Sequence, residues 1–182
     1  MAQAGPATAN DLRDRVTRYL RAHHTMTIAT VGPEAAVQGA VLADAPEGGG
    51  PAGNAPHAAS VFYAMDDSLR LVFISKPSSL HGSHIGQSGP VAVTVSEDYG
   101  DWELIQGVQL WGEVRLLSGA AKAGALAMYL KRFPFVRDLL QQPRLAELIR
   151  NIGVYRVEPK RVAFTDNTTG VFGREALELV IE

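Results

Sequence analysis

Cysteine is absent from the 182-residue chain, which excludes disulfide scaffolds, thiolate zinc sites, iron–sulfur clusters and thiol nucleophiles. Metal chemistry would have to rest on His, Asp and Glu alone. Long apolar runs are also missing: nothing approaches the ~18 residues of a bilayer-crossing helix, and the opening MAQAGPATAN has neither the basic nor the apolar region of a signal peptide. These absences predict a soluble cytoplasmic protein, with neither a membrane nor a nucleic acid as partner. The short catalytic signatures are lacking as well. There is no GxGxxG after a strand, no Gly-rich GKS/GKT loop, no HExxH and no GxSxG, so the common dinucleotide, phosphate-loop, zinc-protease and serine-hydrolase sites lose their support.

The composition, 46% hydrophobic and 20% charged, is that of a globular chain. Its length predicts a single domain over 1–182. The net charge of −2 conceals opposed regions. Residues 22–114 hold two basic and ten acidic side chains, and residues 115–161 hold ten basic and three acidic ones. The ordinary meaning of such a basic segment is a solvated helix face; the alternative is a surface that attracts an anion. Six of the 18 glycines and four of the 10 prolines crowd into residues 32–56, a composition that predicts a long loop.

Asn10 is placed to cap a helix over 11–22, in which Leu12, Val16, Tyr19 and Leu20 recur at the helical period. Strand-forming runs follow at 25–31, 58–65, 68–76, 90–96 and 105–117. Asp66 and Asp67 leave room only for a hairpin between the second and third runs. PSSLHGSHIGQS at 77–88 predicts one or two helical turns, and an Ala-rich helix over 119–133 ends at Pro134. Another helix is expected over 143–150, then strands at 153–158, 161–165 and 175–181. Strands on both sides of inserted helices predict a closed antiparallel barrel.

The candidate ligand-facing segment is Ser75–His84. Ser75, Lys76, Ser78, Ser79 and His81 offer hydroxyls, an ammonium and an imidazole beside a turn, a set that suits a phosphate, although Ser and Pro after a strand often only start a turn. His81 and His84, three apart and without a nearby carboxylate, make an incomplete metal site, and no metal is expected. His23 and His24 sit where a helix C-terminus accounts for them. Phe62, Tyr63, Phe73, Tyr99, Trp102 and Trp111 could stack on a planar cofactor, but core filling is the default for most of them. Lys131 and Arg132 either compensate a helix dipole or bind an anion.

The order helix, strand, hairpin, SKPSSLH turn, strand, IQGVQLWGEV strand and late helices resembles the pyridoxamine phosphate oxidase-like, FMN-binding split-barrel superfamily. KRFP at 131–134 and FTDNT at 164–168, followed by GVFG, resemble its YhbP-type branch. The resemblance implies a mainly β fold with α, a six-stranded antiparallel Greek-key split barrel with flanking helices, in which 32–56 is a loop insertion. It also implies a homodimer with FMN at the subunit interface, and an oxidoreductase acting on a small molecule. The alternative is a non-catalytic or sensory barrel binding flavin, deazaflavin or haem. Carried over by position, Ser60, Val61 and Phe62 lie beside the isoalloxazine, Ile74 and Ser75 near the ring and ribityl chain, Ser79 and His81 in the phosphate turn, and Gln106 against the flavin. The superfamily's usual basic residues are replaced here by Ala59 and Leu80-His81, so Lys76, Lys131 and Arg132 are the candidate substitutes for the missing charge. The arginine-rich C-terminal substrate motif of the oxidase itself is absent; the chain ends GREALELVIE.

Overall fold

The amphipathic period at the start of the chain gives helix α1 (Ala9–Ala22), which buries Leu12, Val16, Tyr19 and Leu20, the four residues that the spacing singles out. Asn10 lies inside the helix rather than capping it, and Asp11 in the first turn offsets the dipole. The computed structural model describes residues 9–32, 56–140, 142, 151–170 and 173–179. The expected loop insertion, apart from its two ends, and the expected helix at 143–150 lie outside the described residues. No helix among the described residues is long and apolar enough to cross a membrane.

The strands are β1 (Thr25–Val31), β2 (Pro56–Phe62), β3 (Ala64–Met65), β4 (Leu71–Ser75), β5 (Ser88–Ser96), β6 (Gln106–Leu116), β7 (Gly153–Asp166) and β8 (Arg174–Glu178). They form one sheet in the order β2-β1-β5-β6-β7-β4-β3, with β8 also on β7, and every pairing is antiparallel. The two ends of that path, β2 and β3, are consecutive in the chain and separated only by Tyr63. The sheet therefore curls until its ends meet at this residue. Tyr63 is fully buried; its N–H donates to the His24 carbonyl at 3.0 Å and its hydroxyl to the Leu20 carbonyl at 2.6 Å. One side chain thus ties the sheet corner to the end of α1.

Eight strand segments stand where the resemblance implies six: the run at 58–65 is split at Tyr63, and the strand expected at 175–181 is present as β8, paired with β7. The two strands expected at 153–158 and 161–165 are one. Pro159, which lies between them in the sequence, sits opposite Gly112 where the β6–β7 register shifts, and such an irregularity accommodates a residue with no N–H to give.

The alternating pattern of β1 turns Met26, Ile28 and Thr30 inward. Met26 and Ile28 join Phe73, Val93, Leu110, Val157 and Phe164 in the main core. A second cluster, with Val72, Val154, Tyr129, Phe133 and Val136, lies under helices α3 (Gly119–Arg132) and α4 (Pro134–Leu140). On the opposite face of β1, the rows Ala58–Ala29–Ala92 and Ser60–Thr27–Thr94 present only small side chains. The default of core packing for the aromatic residues holds for Tyr63 and Phe73 but not for Phe62, Trp102 and Trp111, which are 45%, 50% and 37% exposed. The basic segment is likewise not simply a helix face. Arg115, Arg156, Lys160 and Arg161 lie on β6 and β7 and pair with Glu113, Glu158 and Glu178.

Candidate functional site

Where β4 leaves the sheet at Ser75, paired with Gly153, the chain turns through Pro77 and Ser78 into helix α2 (Leu80–Ile85). Ser79 is the cap of this helix. Its Oγ accepts from the Gly82 N–H at 3.2 Å and donates to the Lys76 carbonyl at 2.7 Å. The Ser75 Oγ lies 3.3 Å from the Ser79 Oγ, and His81 Nε2 is 2.6 Å from the first and 3.1 Å from the second. Two hydroxyls and an imidazole nitrogen therefore converge on one spot, as the sequence suggested for Ser75, Ser79 and His81. The closeness depends on Gly82: a Cβ there would lie 2.5 Å from the Lys76 carbonyl oxygen.

A third imidazole joins the two of α2. His57 on β2 stacks parallel to His81, with ring centroids 6.0 Å apart, and meets His84 edge-on at the same distance. His84 Nδ1 is 3.1 Å from the Thr30 Oγ1, and its ring fills space that only glycine leaves at 32, where a Cβ would lie 2.3 Å from the ring. Burial, and next the neighbouring His57, lower the pKa of His81 to about 4 and that of His84 below the ordinary histidine value. Both rings are neutral at pH 7, so the turn's cation is the exposed Lys76. Among the described residues no group of three His, Cys, Asp or Glu side chains is placed to hold a metal ion.

The remaining candidates lie elsewhere. On β2, Ser60 faces outward with its Oγ 3.2 Å from the Thr27 Oγ1, and Val61 points inward against the main core. Phe62 lies 5.2 Å from Phe133 and 5.8 Å from Phe135. Ile74 packs on the second core cluster. Lys131 is exposed at the end of α3. Arg132 is held at the Tyr63 corner: it donates to the carbonyls of Arg21 and His23 and lies 5.9 Å over the Tyr63 ring. Its guanidinium therefore satisfies the carbonyl end of α1. Arg132→Met keeps the stem but leaves those carbonyls without a donor, and should cost about 2 kcal/mol of stability, read from urea unfolding, without changing flavin affinity.

Gln106 is inward-facing and donates to the Asp166 Oδ1 at 3.0 Å. It pairs with the last residue of the 14-residue β7, and Ser75 pairs with the first. Within the chain, Gln106 and the Ser75 turn therefore lie at opposite ends of β7. The glutamine of β6 on the outer face is Gln109, whose Oε1 accepts from Arg174 at 2.6 Å.

Two residues escaped the sequence reading. His57 lies at the strand period from Ala59 and Val61, so extending the predicted strand by two residues places it on the inner face. The second is Asp166, within the FTDNT segment. Its carboxylate accepts from Arg15, Gln106 and both the hydroxyl and the N–H of Thr168. Although burial works against the charge, these bonds hold its pKa below the usual aspartate value.

No family model matches the chain. Among solved structures, the fold is shared with a haem-binding protein from Mycobacterium smegmatis (TM-score 0.66, 14% identity, 97% of this chain and 60% of that one). The chain thus spans less than two thirds of that protein. It is also shared with a pyridoxamine 5'-phosphate oxidase-related, FMN-binding protein from Nostoc punctiforme PCC 73102 (TM-score 0.56, 13% identity, 98% and 99%), and with HutZ, a haem storage protein from Vibrio cholerae (TM-score 0.57, 12% identity, 80% and 88%). These likenesses establish a split-barrel fold, mainly β with flanking helices. In sequence, the chain is 37% identical over 118 residues to a UPF0306 protein of Klebsiella pneumoniae, covering 64% of this chain and 72% of that one. It is 33% identical over 118 residues to the UPF0306 protein YhbP of Salmonella newport, with the same coverage. The KRFP and FTDNT segments, the split barrel and this identity agree: the chain belongs to the UPF0306 family, the YhbP-type proteins.

Proposed function

We propose that the protein binds FMN with its phosphate in the Ser75–Ser79–His81 turn, as a homodimer whose interface holds the flavin. The observation that carries this reading is the convergence of two hydroxyls and an imidazole nitrogen within 3.3 Å of one another at a strand end, in a fold shared with an FMN-binding protein. The donor set fits a phosphate. Hydroxyl protons re-aim by rotation, a neutral imidazole can present N–H at Nε2, and Lys76 supplies the charge that Ala59 and Leu80 do not. The rows of Ala and Ser/Thr on the outer face of β1, β2 and β5 let a second copy approach closely. Bound flavin would supply redox chemistry toward a small-molecule substrate; this chain's residues bind it, orient it and limit the local charge.

Haem is the second reading. It is favoured by the three facing imidazoles His57, His81 and His84, two of them held in the neutral form that ligates iron. The visible spectrum of the purified protein, with mass spectrometry of any molecule released on denaturation, separates the two. A flavin spectrum, or uptake of added FMN, supports the first reading; a haem spectrum, or a colourless protein that takes up no FMN, sinks it. Lys76→Ala should weaken FMN binding about tenfold, which corresponds to the loss of one charge-assisted contact, and unchanged affinity would remove Lys76 from the phosphate site.

A further inference from the structure

Packing of the core does not explain the hydroxyl of Tyr155. The residue has no exposed surface, and among the described residues no group lies within hydrogen-bond reach of its hydroxyl. An unpaired buried hydroxyl costs free energy that a phenylalanine in the same place would not. Tyr63, equally buried, does find a carbonyl for its hydroxyl, at 2.6 Å.

The position of Tyr155 points to the Ser75 turn. β4 and β7 pair Phe73 with Tyr155 and Ser75 with Gly153. The Phe73 and Tyr155 rings stack at 5.0 Å in the main core, whereas Ile74 and Val154 pack on the second cluster, on the other face. By the strand period, Ser75 and Gly153 therefore share the inner face with the two rings. Tyr155 leans along β7 over Gly153: a Cβ there would lie 2.7 Å from its Cε2 and 3.0 Å from its Cζ. Glycine thus clears the place that the phenol end takes, across the ladder from Ser75.

Ser75 can use a donor from that side. Its Oγ has one proton and two acceptor sites. His81 Nε2, 2.6 Å away, engages the hydroxyl once, and the Ser79 proton is spent on the Lys76 carbonyl. When Ser75 turns its own proton toward a phosphate oxygen, an acceptor site remains on the inner side. Burial raises the pKa of Tyr155, so its hydroxyl keeps the proton that this site requires.

We infer that Tyr155 is a positioning residue of the turn: directly or across one buried water, its hydroxyl donates to the Ser75 Oγ and commits the Ser75 proton to the phosphate of the ligand. This rests on the reading of the turn as a phosphate site. The test compares the unaltered full chain with Tyr155→Phe and with Tyr129→Phe, which alters a buried tyrosine of the second cluster. Tyr155→Phe should bind FMN about fivefold more weakly, the scale of one neutral hydrogen bond. Its riboflavin affinity should be unchanged and its melting temperature equal to or above that of the unaltered chain. Tyr129→Phe should leave FMN affinity as it is. The inference is overturned by unchanged FMN affinity in Tyr155→Phe, by an equal loss toward riboflavin, by a lowered melting temperature, or by the same FMN loss in Tyr129→Phe. Inorganic phosphate, titrated separately and followed by amide NMR shifts at residues 75–82, tells the two readings apart. Phosphate binding that Tyr155→Phe weakens, without any FMN binding, sinks the flavin reading alone; if neither FMN nor phosphate binds, both fall.

Discussion

Tyr63→Ala should be the most damaging single substitution at the sheet corner, lowering unfolding free energy by about 4 kcal/mol, at the scale of a fully buried aromatic ring replaced by alanine. Tyr63 has no exposed surface, supports the Arg132 guanidinium and is the residue at which the two ends of the curled sheet meet. Tyr63→Phe separates the two roles. It keeps the ring and loses only the hydroxyl donated to Leu20, so about 1 kcal/mol is expected. Denaturant unfolding of both variants reads the difference; near-equal losses would show that the hydroxyl, not the packed ring, holds the corner.

The histidine cluster gives the second large effect, a loss of stability in mild acid. His81 titrates near 4 in the folded protein and near 6.5 when unfolded. A depressed histidine pKa means that between these values the unfolded chain takes a proton and the folded one does not. The stability associated with the neutral ring is therefore fully present above pH 6.5 and is lost as pH falls toward 4. The difference corresponds to roughly 3 kcal/mol. His81→Phe keeps a ring in the same space and removes the proton. Unfolding free energies from pH 7 to pH 4 should fall more steeply for the unaltered chain than for His81→Phe, by roughly that amount; parallel curves would mean that the cluster does not govern the acid response.

Much of this architecture was legible because periodicity reports which face a side chain occupies. Leu12, Val16, Tyr19 and Leu20 were readable as one buried stripe, and Ser75, Ser79 and His81 as one polar turn, since each set is local in the chain. What periodicity does not report is which strands become neighbours. That β2 and β3 are the two ends of one path depends on the curl of the whole sheet, so Tyr63 looked like another core ring. His57 reaches His81 and His84 only through the packing of α2 against β1 and β2. Gln106 and Arg132 illustrate the same limit: the resemblance implies a flavin contact for the first and a compensating charge for the second, and only the tertiary packing brings Gln106 onto Asp166 and Arg132 onto the end of α1. Pro159 misled for a local reason, because the register shift opposite Gly112 lets a single strand carry it.

The central claim is that the Ser75–Ser79–His81 turn holds a phosphate, and comparing FMN with riboflavin, which lacks that group, isolates it. Fluorescence titration should show the unaltered protein binding FMN at least about tenfold more tightly than riboflavin, the equivalent of one lost charged contact. The Ser75→Ala/Ser79→Ala double variant should bring the two affinities together by weakening FMN alone. Equal affinities for FMN and riboflavin in the unaltered protein would contradict the assignment of the turn.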